Sequence, residues 1–168
     1  MKKIICLFMF TFLISVPAVA DEYLDAARKQ LAEENYSKAL NYTEKSLDEN
    51  PDNIEATFLL ADIYCAKEKY KTAIEIYNKV LKKNRNNIEA LNRLGHVYHS
   101  GEYYKDAISI FEEVLATQPE NVKALYMMGM CHALSMDLDK GYTIYRRLKK
   151  KNEKLAKKLL HQLQGHLT

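Results

Sequence analysis

The chain has no tryptophan, and only five glycines, three prolines and three cysteines occur among its 168 residues. So few glycines and prolines suit helices joined by short turns, and three cysteines are too few for a disulfide-dense scaffold. Neither sign of charge is in large excess, because 25 basic residues face 22 acidic ones and the net charge is +3. This balance gives no support to nucleic-acid binding. Hydrophobic residues make up 48% of the chain, which suits one globular domain.

The first twenty residues have the pattern of a secretory signal peptide. Lys2 and Lys3 precede an apolar run over residues 4–14, and Ala18-Val19-Ala20 is a small-residue cleavage motif. We therefore predict cleavage near Ala20 and an exported protein, periplasmic or secreted. The alternative is an uncleaved membrane anchor, although the run is short for a span of about 20 residues. Cys6 lies too early to be a lipidated first residue of the mature chain.

Two short motifs recur at a spacing of 34 residues. An Asn-x-x-Ala motif occupies residues 53–56, 87–90 and 121–124. A Tyr-x-x-Ala motif occupies residues 36–39, 70–73 and 104–107, with a degenerate copy at 138–141. Two series that keep one register predict a structural repeat. Such a unit buries its apolar face against its neighbours and leaves an extended surface for a partner.

Each unit has the pattern of an antiparallel helix pair. Over residues 88–121, apolar residues at helical spacing predict a first helix that ends at Gly101 and a second that begins at Tyr104. Pro119 and Asn121 then close the unit. Small residues share two registers within the pairs: Ala27, Ala61, Gly95 and Gly129 in the first helices, and Ala39, Ala73, Ala107 and Gly141 in the second. We expect them to let the paired helices approach closely.

These residues resemble the tetratricopeptide repeat. The unit 88–121 carries the pattern most fully, at Leu91, Leu94, Gly95, Tyr98, Ala107, Phe111 and Pro119. The resemblance divides residues 21–155 into four repeats, at 20–53, 54–87, 88–121 and 122–155, followed by a capping helix over 153–168. Asn152 is its expected N-cap and Gly165 its expected end. The implied fold is an all-α solenoid, a superhelix of antiparallel helix pairs with a C-terminal capping helix.

The resemblance also implies a concave groove lined by the first helix of each repeat. The residues expected to line it are Leu24, Arg28, Phe58, Asp62, Cys65, Asn92, His96, His99, Tyr126 and Met130. Phe58, Tyr126 and Met130 would be apolar anchors for a peptide, and Asn92 would bond its backbone. The alternative is that some of these side chains pack against the next helix or a C-terminal segment.

Catalytic and metal-binding patterns are weak. No nucleophile elbow, zinc-protease motif or phosphate loop is present. His96 and His99 are spaced to share a metal, but Cys65 and Asp62 belong to the preceding repeat, so we expect no metal, no cofactor and no enzyme. Cys65 and Cys131 lie almost two repeats apart, and we expect two partly buried thiols rather than a disulfide.

A basic cluster lies near the C-terminus, and it comprises Arg146, Arg147, Lys149, Lys150, Lys151, Lys154, Lys157 and Lys158. It could meet anionic lipid headgroups as a peripheral membrane contact, or an acidic partner; a solvated end of the stack is the other interpretation. The sequence as a whole predicts a non-catalytic adaptor or assembly factor of the bacterial cell envelope that binds a peptide or protein segment in the groove. The alternative function is a membrane-tethered assembly subunit that keeps its N-terminal segment as an anchor.

Overall fold

The structure, a computed structural model, describes residues 16–165, and within that range it contains nine α-helices and no strand, which confirms the all-α prediction. The helices are α1 (Val16–Ala32), α2 (Tyr36–Glu49), α3 (Ile54–Ala66), α4 (Tyr70–Lys83), α5 (Ile88–Ser100), α6 (Tyr104–Thr117), α7 (Val122–Leu134), α8 (Leu138–Lys149) and α9 (Glu153–Gly165). Most of the predicted signal peptide, with Cys6, and residues 166–168 of the predicted capping helix lie outside the described residues.

The recurring Asn residues begin the helices. The side-chain oxygen of Asn87 accepts a hydrogen bond from the backbone N–H of Ala90 at 2.9 Å, which satisfies one of the unpaired donors at the start of α5. Equivalent bonds of 3.0–3.1 Å are made by Asn53, Asn121 and Asn152. Asn152 is therefore the N-cap of α9, as predicted. The 34-residue recurrence of Asn is explained by this capping bond.

The turns inside the helix pairs also repeat. A residue with positive φ, near 60°, follows the first helix of each pair, and these residues are Glu34, Glu68, Glu102 and Met136. At Glu102, the next N–H, that of Tyr103, donates to the carbonyl of Tyr98 at 2.8 Å, which closes the helix end in a Schellman arrangement. Gly101 ends α5 as predicted but has a φ of −84°, so the left-handed residue of this turn is Glu102.

The chain forms two compact units, divided within α3 after Ile63. In the first unit α1 packs on α2. Its core is built from small and aliphatic side chains, which are Leu24, Ala27, Ala39, Ala56, Leu59 and Ile63. Two buried hydroxyl groups complete it: Thr43 donates to the carbonyl of Ala39 at 2.8 Å, and Ser46 donates to the carbonyl of Ala20 at 2.9 Å.

The second unit begins at Tyr64, and in it each helix from α4 to α9 packs on the next. Helix α9 also packs on α7. Its leucine stripe comprises Leu155, Leu159, Leu160 and Leu163, of which Leu159 and Leu163 are fully buried and the other two half-buried. The core of this unit is larger and more apolar, and includes Phe111, Leu125 and Leu148.

Gly95 and Gly129 show why the first-helix register takes small residues. A Cβ atom on Gly95 would lie 2.6 Å from the ring of Phe111 on α6, the partner helix of the same pair. A Cβ atom on Gly129 would lie 2.5 Å from Leu159 of α9 and 3.1 Å from Ile144 of α8. The expected close approach is therefore present in the second unit, and at Gly129 the capping helix makes the tightest contact.

Candidate functional site

One face of α5 in the second unit carries three polar side chains, and in two of them a buried atom has no hydrogen-bond partner within residues 16–165. Asn92, His96 and His99 follow each other at four- and three-residue spacing, so they lie along a single face of the helix. The Asn87 cap fixes the start of this helix and the turn at Glu102 fixes its end, so the three side chains have a defined position. His96 is exposed, His99 is half-buried and Asn92 is buried.

Asn92 is the most constrained of the three. Its side-chain amide donates to the carbonyl of Ile88 at 2.8 Å, which leaves its Oδ1 atom buried and without a hydrogen bond. A buried acceptor without a donor costs about 1–3 kcal/mol, so this atom stabilises nothing in the unliganded protein. A backbone N–H of an extended peptide is the type of donor that would satisfy it.

His99 has a second orphaned atom. Its Nε2 is buried and has no hydrogen-bond partner, while its ring meets Tyr104 edge-on with centroids 6.0 Å apart. Burial lowers the pKa of His99, and the nearby His96, whose ring centroid is 6.4 Å away, lowers it further. A neutral imidazole at physiological pH follows, able to donate or accept one further hydrogen bond.

Helix α7 continues this surface, because it packs directly on α5. Tyr126 and Met130 stand 34 residues after Asn92 and His96 and are half-buried, with their inner parts packed on the core of the second unit. A half-exposed tyrosine and methionine offer apolar contact area beside the polar atoms of α5. Asn92, His96, His99, Tyr126 and Met130 together are called the α5–α7 face below.

Two predicted groove residues of the first unit are buried instead. Leu24 is 4% exposed and packs in the core of that unit, and Phe58 is 2% exposed. Both are packed, as in the alternative that the sequence left open, and their contribution to a peptide groove stays a prediction. The sequence register locates both positions within the repeat, but neighbouring side chains decide their burial.

The remaining predicted groove residues differ in exposure. Arg28 is exposed, and its guanidinium lies 3.2 Å from the carboxylate of Asp25 and 3.3 Å from that of Glu55. Asp62, in the first unit, and Cys65, in the second, are half-buried. Asn92 is 8% exposed, so the peptide-bonding role expected of it requires movement of the atoms that cover it.

The two thiols also differ. No disulfide is formed within residues 16–165. Cys131 is fully buried, not partly as expected, and burial raises the pKa of its thiol to about 12, so it stays protonated and unreactive. In the same part of the chain, no group of three His, Cys, Asp or Glu side chains is placed to hold a metal ion.

Sequence analysis missed a buried histidine beside Cys131. His132 is 5% exposed, and its Nδ1 lies 3.4 Å from the carboxylate of Asp137, a separation of ion-pair length without hydrogen-bond geometry. Burial lowers the pKa of His132, and the carboxylate of Asp137 only partly offsets it. The register offered a signal, because the equivalent residues Tyr64 and Tyr98 are aromatic.

A second concavity of the second unit was not predicted. It is an open groove of about 720 Å³ whose floor is formed by Leu91 and Leu94 of α5. Its sides carry charged residues, and these are Glu75, Lys79 and Lys82 of α4, Arg85 after it, and Glu113 of α6. Most of its lining residues belong to second helices, whereas the resemblance implied a groove lined by first helices.

None of the helices between Val16 and Gly165 is both long and apolar enough to cross a membrane.

Comparison with family models gives two matches. Residues 32–114 match the model of subunit 3 of the anaphase-promoting complex, or cyclosome, and residues 123–164 match a tetratricopeptide-repeat model. Over 42 residues the chain is 50% identical to a TPR repeat-containing protein of Methanocaldococcus jannaschii, a match that covers 25% of this chain and 13% of that protein.

Solved structures share the fold. MamA (residues 41 to the end) from Desulfovibrio magneticus RS-1 aligns with a TM-score of 0.69 at 22% identity, covering 83% of this chain and 78% of that chain. PilF of Pseudomonas aeruginosa aligns at 0.71 and 19% identity, covering 90% and 72%. YrrB, described as a TPR protein with an unusual peptide-binding site, aligns at 0.61 and 20% identity, covering 86% and 84%. These likenesses confirm the all-α tetratricopeptide-repeat fold.

Proposed function

This chain belongs to the tetratricopeptide-repeat family, and on that premise we propose that it is a non-catalytic adaptor that holds an extended peptide segment on the α5–α7 face. Proteins of this fold act in protein–protein interaction, and the structural neighbour YrrB is described as having a peptide-binding site. The single observation that carries the proposal is the orphaned Oδ1 of Asn92, buried on the face where His99 holds a second orphaned atom.

The binding mode follows from these atoms. An extended peptide exposes N–H and C=O groups on alternate sides, so one N–H can donate to Asn92, once the atoms that cover its Oδ1 move aside, while His99 bonds a neighbouring group. Tyr126 and Met130 then supply apolar contact for a side chain of the peptide. Half-burial of both residues keeps them in place before the ligand arrives, which lowers the entropic cost of binding.

Replacement of Asn92 by leucine tests the proposal. Leucine has the same branching at its γ-carbon and removes the orphaned acceptor, so the free energy of unfolding should stay unchanged or rise by about 1 kcal/mol. Peptide binding should weaken at least tenfold, which corresponds to about 1.4 kcal/mol. The probe is a synthetic library of extended peptides of ten residues or so, measured by fluorescence polarisation against the purified chain.

The matched control is Asn78→Leu, because Asn78 is exposed on α4, where it lines the 720 Å³ groove (called the outer groove below), and is not on the α5–α7 face. It should leave peptide binding unchanged. If Asn92→Leu and Asn78→Leu bind the selected peptide equally well, the α5–α7 face is not the binding site. If Asn92→Leu destabilises the chain by several kcal/mol, the Oδ1 atom has a structural partner and the premise of the proposal fails.

The cell-envelope location belongs to this proposal and rests on the signal-peptide pattern of residues 1–20. Partner identity in the envelope would be obtained with a photo-crosslinking amino acid at Tyr126. A crosslink to one polypeptide from Tyr126, and none from the exposed Lys157 of α9, is the expected result. A chain that remains in the cytoplasm with an intact N-terminus would contradict the location.

A membrane-tethered subunit is the second candidate, and one observation favours it. Helix α1 begins before the predicted cleavage point, and Ala20 is 1% exposed with its carbonyl bonded to the Ser46 hydroxyl. Cleavage after Ala20 would remove this packed residue, whereas an uncleaved segment keeps it. The mass of the intact protein from the native envelope separates the two: a start at Asp21 rejects the tether.

A further inference from the structure

The outer faces of the second helices carry a pattern of charge that the peptide-binding proposal does not use. Four register positions of each second helix, 34 residues apart, are exposed in every repeat. In α2 they hold Glu44, Lys45, Asp48 and Glu49, in α4 Asn78, Lys79, Lys82 and Lys83, in α6 Glu112, Glu113, Ala116 and Thr117, and at the end of α8 Arg146, Arg147, Lys150 and Lys151. The net charges of these rows are −2, +3, −2 and +4.

Within the second unit the rows of opposite sign face a common space. Lys79 and Lys82 of α4 and Glu113 of α6 line the 720 Å³ groove. The last row meets the chain segment that follows α6, because Lys151 forms an ion pair with Glu120 and the guanidinium of Arg147 donates to the carbonyl of Pro119. The fold therefore already sets positive rows beside negative groups.

Two cations of the α8 row lack an ion-pair partner among residues 16–165. A concavity of about 360 Å³ is lined by the four cations of the row and by one acidic residue, Glu120. Within residues 16–165, Arg146 and Lys150 form no ion pair. The remaining positive charge is exposed and lies on a rigid helix end, so it suits a partner with several carboxylates at helical spacing.

The first unit carries such a surface. Its described residues hold eleven acidic against four basic side chains, a net charge of −7, whereas residues 64–165 hold 19 basic against 11 acidic, a net charge of +8. On α2, the ammonium of Lys45 lies 5.6 Å from the ring centre of Tyr23 and 5.7 Å from that of Tyr42. This cation is directed onto two aromatic rings, so Glu44, Asp48 and Glu49 dominate the exposed row.

We propose that the cationic row of α8 binds the acidic row of α2 in a second copy of this chain. The two rows occupy the same register positions, and Arg146 and the C-cap residue Lys150 keep helical spacing because Lys150 has right-handed helical backbone angles (φ −70°, ψ −17°). Each contact joins the α8 row of one copy to the α2 row of another, and every copy carries one row of each kind. The association is reversible and governed by salt because the charges are exposed.

Sedimentation velocity of the full chain, over a range of protein concentrations, tests this contact. The weight-average mass should rise with concentration at about 10 mM salt, where screening extends over about 30 Å, and fall to that of a monomer at about 1 M salt. The double variant Arg146→Glu/Lys150→Glu should be monomeric in both solutions. The matched control, Lys154→Glu/Lys158→Glu on α9, changes the net charge equally and should associate like the unchanged chain.

A mixture of two variants gives the decisive measurement. Glu44→Lys/Asp48→Lys should also be monomeric alone, but a mixture with Arg146→Glu/Lys150→Glu should associate at low salt, because the first variant keeps the cationic α8 row and the second keeps the acidic α2 row. Circular dichroism checks that each variant is folded.

A monomeric unchanged chain at low salt, association that survives in Arg146→Glu/Lys150→Glu, or a mixture that stays monomeric would each overturn the proposal. Vesicles of phosphatidylcholine with about a third phosphatidylglycerol provide the last comparison. If they bind the unchanged chain and not Arg146→Glu/Lys150→Glu, while the chain in solution stays monomeric, the row serves anionic lipid and not a second copy. Loss of peptide binding in Asn92→Leu would change neither the sedimentation results nor the vesicle-binding results, so the two proposals can fail separately.

Discussion

The α1–α2 pair of the first unit and the α5–α6 pair of the second have the same register but different cores. In α5–α6, Gly95 leaves space for the buried ring of Phe111, and Val114 lies one turn further along. The equivalent residues in α1–α2 are Ala27, Thr43 and Ser46. All three are buried, and the two hydroxyl groups bond to backbone carbonyls of Ala39 and Ala20.

The difference shows that one repeat register accommodates buried side chains of different size and polarity. A glycine facing a phenylalanine and an alanine facing a threonine both fill the space between two helices. Threonine and serine are tolerated in the smaller core because each has an acceptor, since a buried hydroxyl without one would cost about 1–3 kcal/mol. We therefore expect the second unit to depend on packing and the first to depend in part on two hydrogen bonds.

The largest expected effect that tests this comparison is from Phe111→Ala. Loss of a fully buried ring should lower the free energy of unfolding by about 3–5 kcal/mol. Thr43→Ala, at the same register position, should cost only about 1 kcal/mol because it removes one methyl group and one bond. Urea denaturation followed by circular dichroism measures both. Equal costs would show that the two cores are not different.

Gly95→Ala should have the next largest effect. The added Cβ would lie 2.6 Å from the Phe111 ring, and overpacking costs about 1–3 kcal/mol, reduced by about 1 kcal/mol because alanine favours helix. Phe111→Leu should cost less in the Gly95→Ala background than in the unchanged chain, since the smaller side chain relieves the contact. Additive costs in this double-mutant cycle would contradict the proposed contact.

Ser46→Ala tests the hydrogen bond of the first unit and the processing of the chain together. In the full chain it should cost about 0.5–1.5 kcal/mol because the bond to Ala20 is lost. In a chain that begins at Asp21 the acceptor is gone, so the same substitution should cost almost nothing. Thermal unfolding of the four proteins gives the comparison, and an equal cost in both lengths would mean that Ser46 has another acceptor.

A smaller difference, confined to acidic solution, is expected at His132. Burial lowers its pKa in the folded chain, so the unfolded chain binds the proton more readily, and stability is lost as pH falls below about 6.5, the ordinary value. Asp137 and Glu112 oppose this shift and Lys140 adds to it. His132→Tyr, which copies Tyr98, should flatten the fall in stability between neutral and acidic pH. The pKa of His99 is also lowered by burial, so the pH dependence of His99→Phe is measured in parallel.

The smallest effect is expected at the turns, where the two pairs do not differ. Glu34 has a φ of 59° and Glu102 a φ of 63°, a conformation that favours glycine. Glu34→Gly and Glu102→Gly should each stabilise the chain by up to about 1 kcal/mol, and by similar amounts. A gain at only one turn, measured by thermal unfolding, would show that the other glutamate has a compensating contact.

Much of the fold could be predicted from local patterns. Asn87 and Asn152 were identifiable because an N-cap bond involves residues only three apart, and Gly95 because its register is occupied by small residues in every repeat. The leucine stripe of α9 likewise predicted a helix packed along one side, and Leu159 and Leu163 are buried there. Such features depend on spacing along the chain, which the sequence contains directly.

The candidate site could be predicted only in part. Spacing placed Asn92, His96 and His99 on one face of α5 with Tyr126 and Met130 on the equivalent face of α7. It could not indicate that Asn92 would be buried with an orphaned oxygen, because that depends on which atoms of other helices surround it. The outer groove was missed for the same reason, since its lining comes from α4, α5 and α6 together.

The sequence by itself determined the repeat: its 34-residue period, the helix pairs, their caps and the register of the small residues, all of which are contained in residue spacing along the chain. Only the tertiary structure decided that Leu24 and Phe58 are buried while His96 is exposed. Burial is set by the size and position of side chains from helices distant in sequence, and a repeat register assigns the same position to residues whose neighbours differ. The physical reason is that packing is a property of several helices at once, whereas periodicity is a property of one.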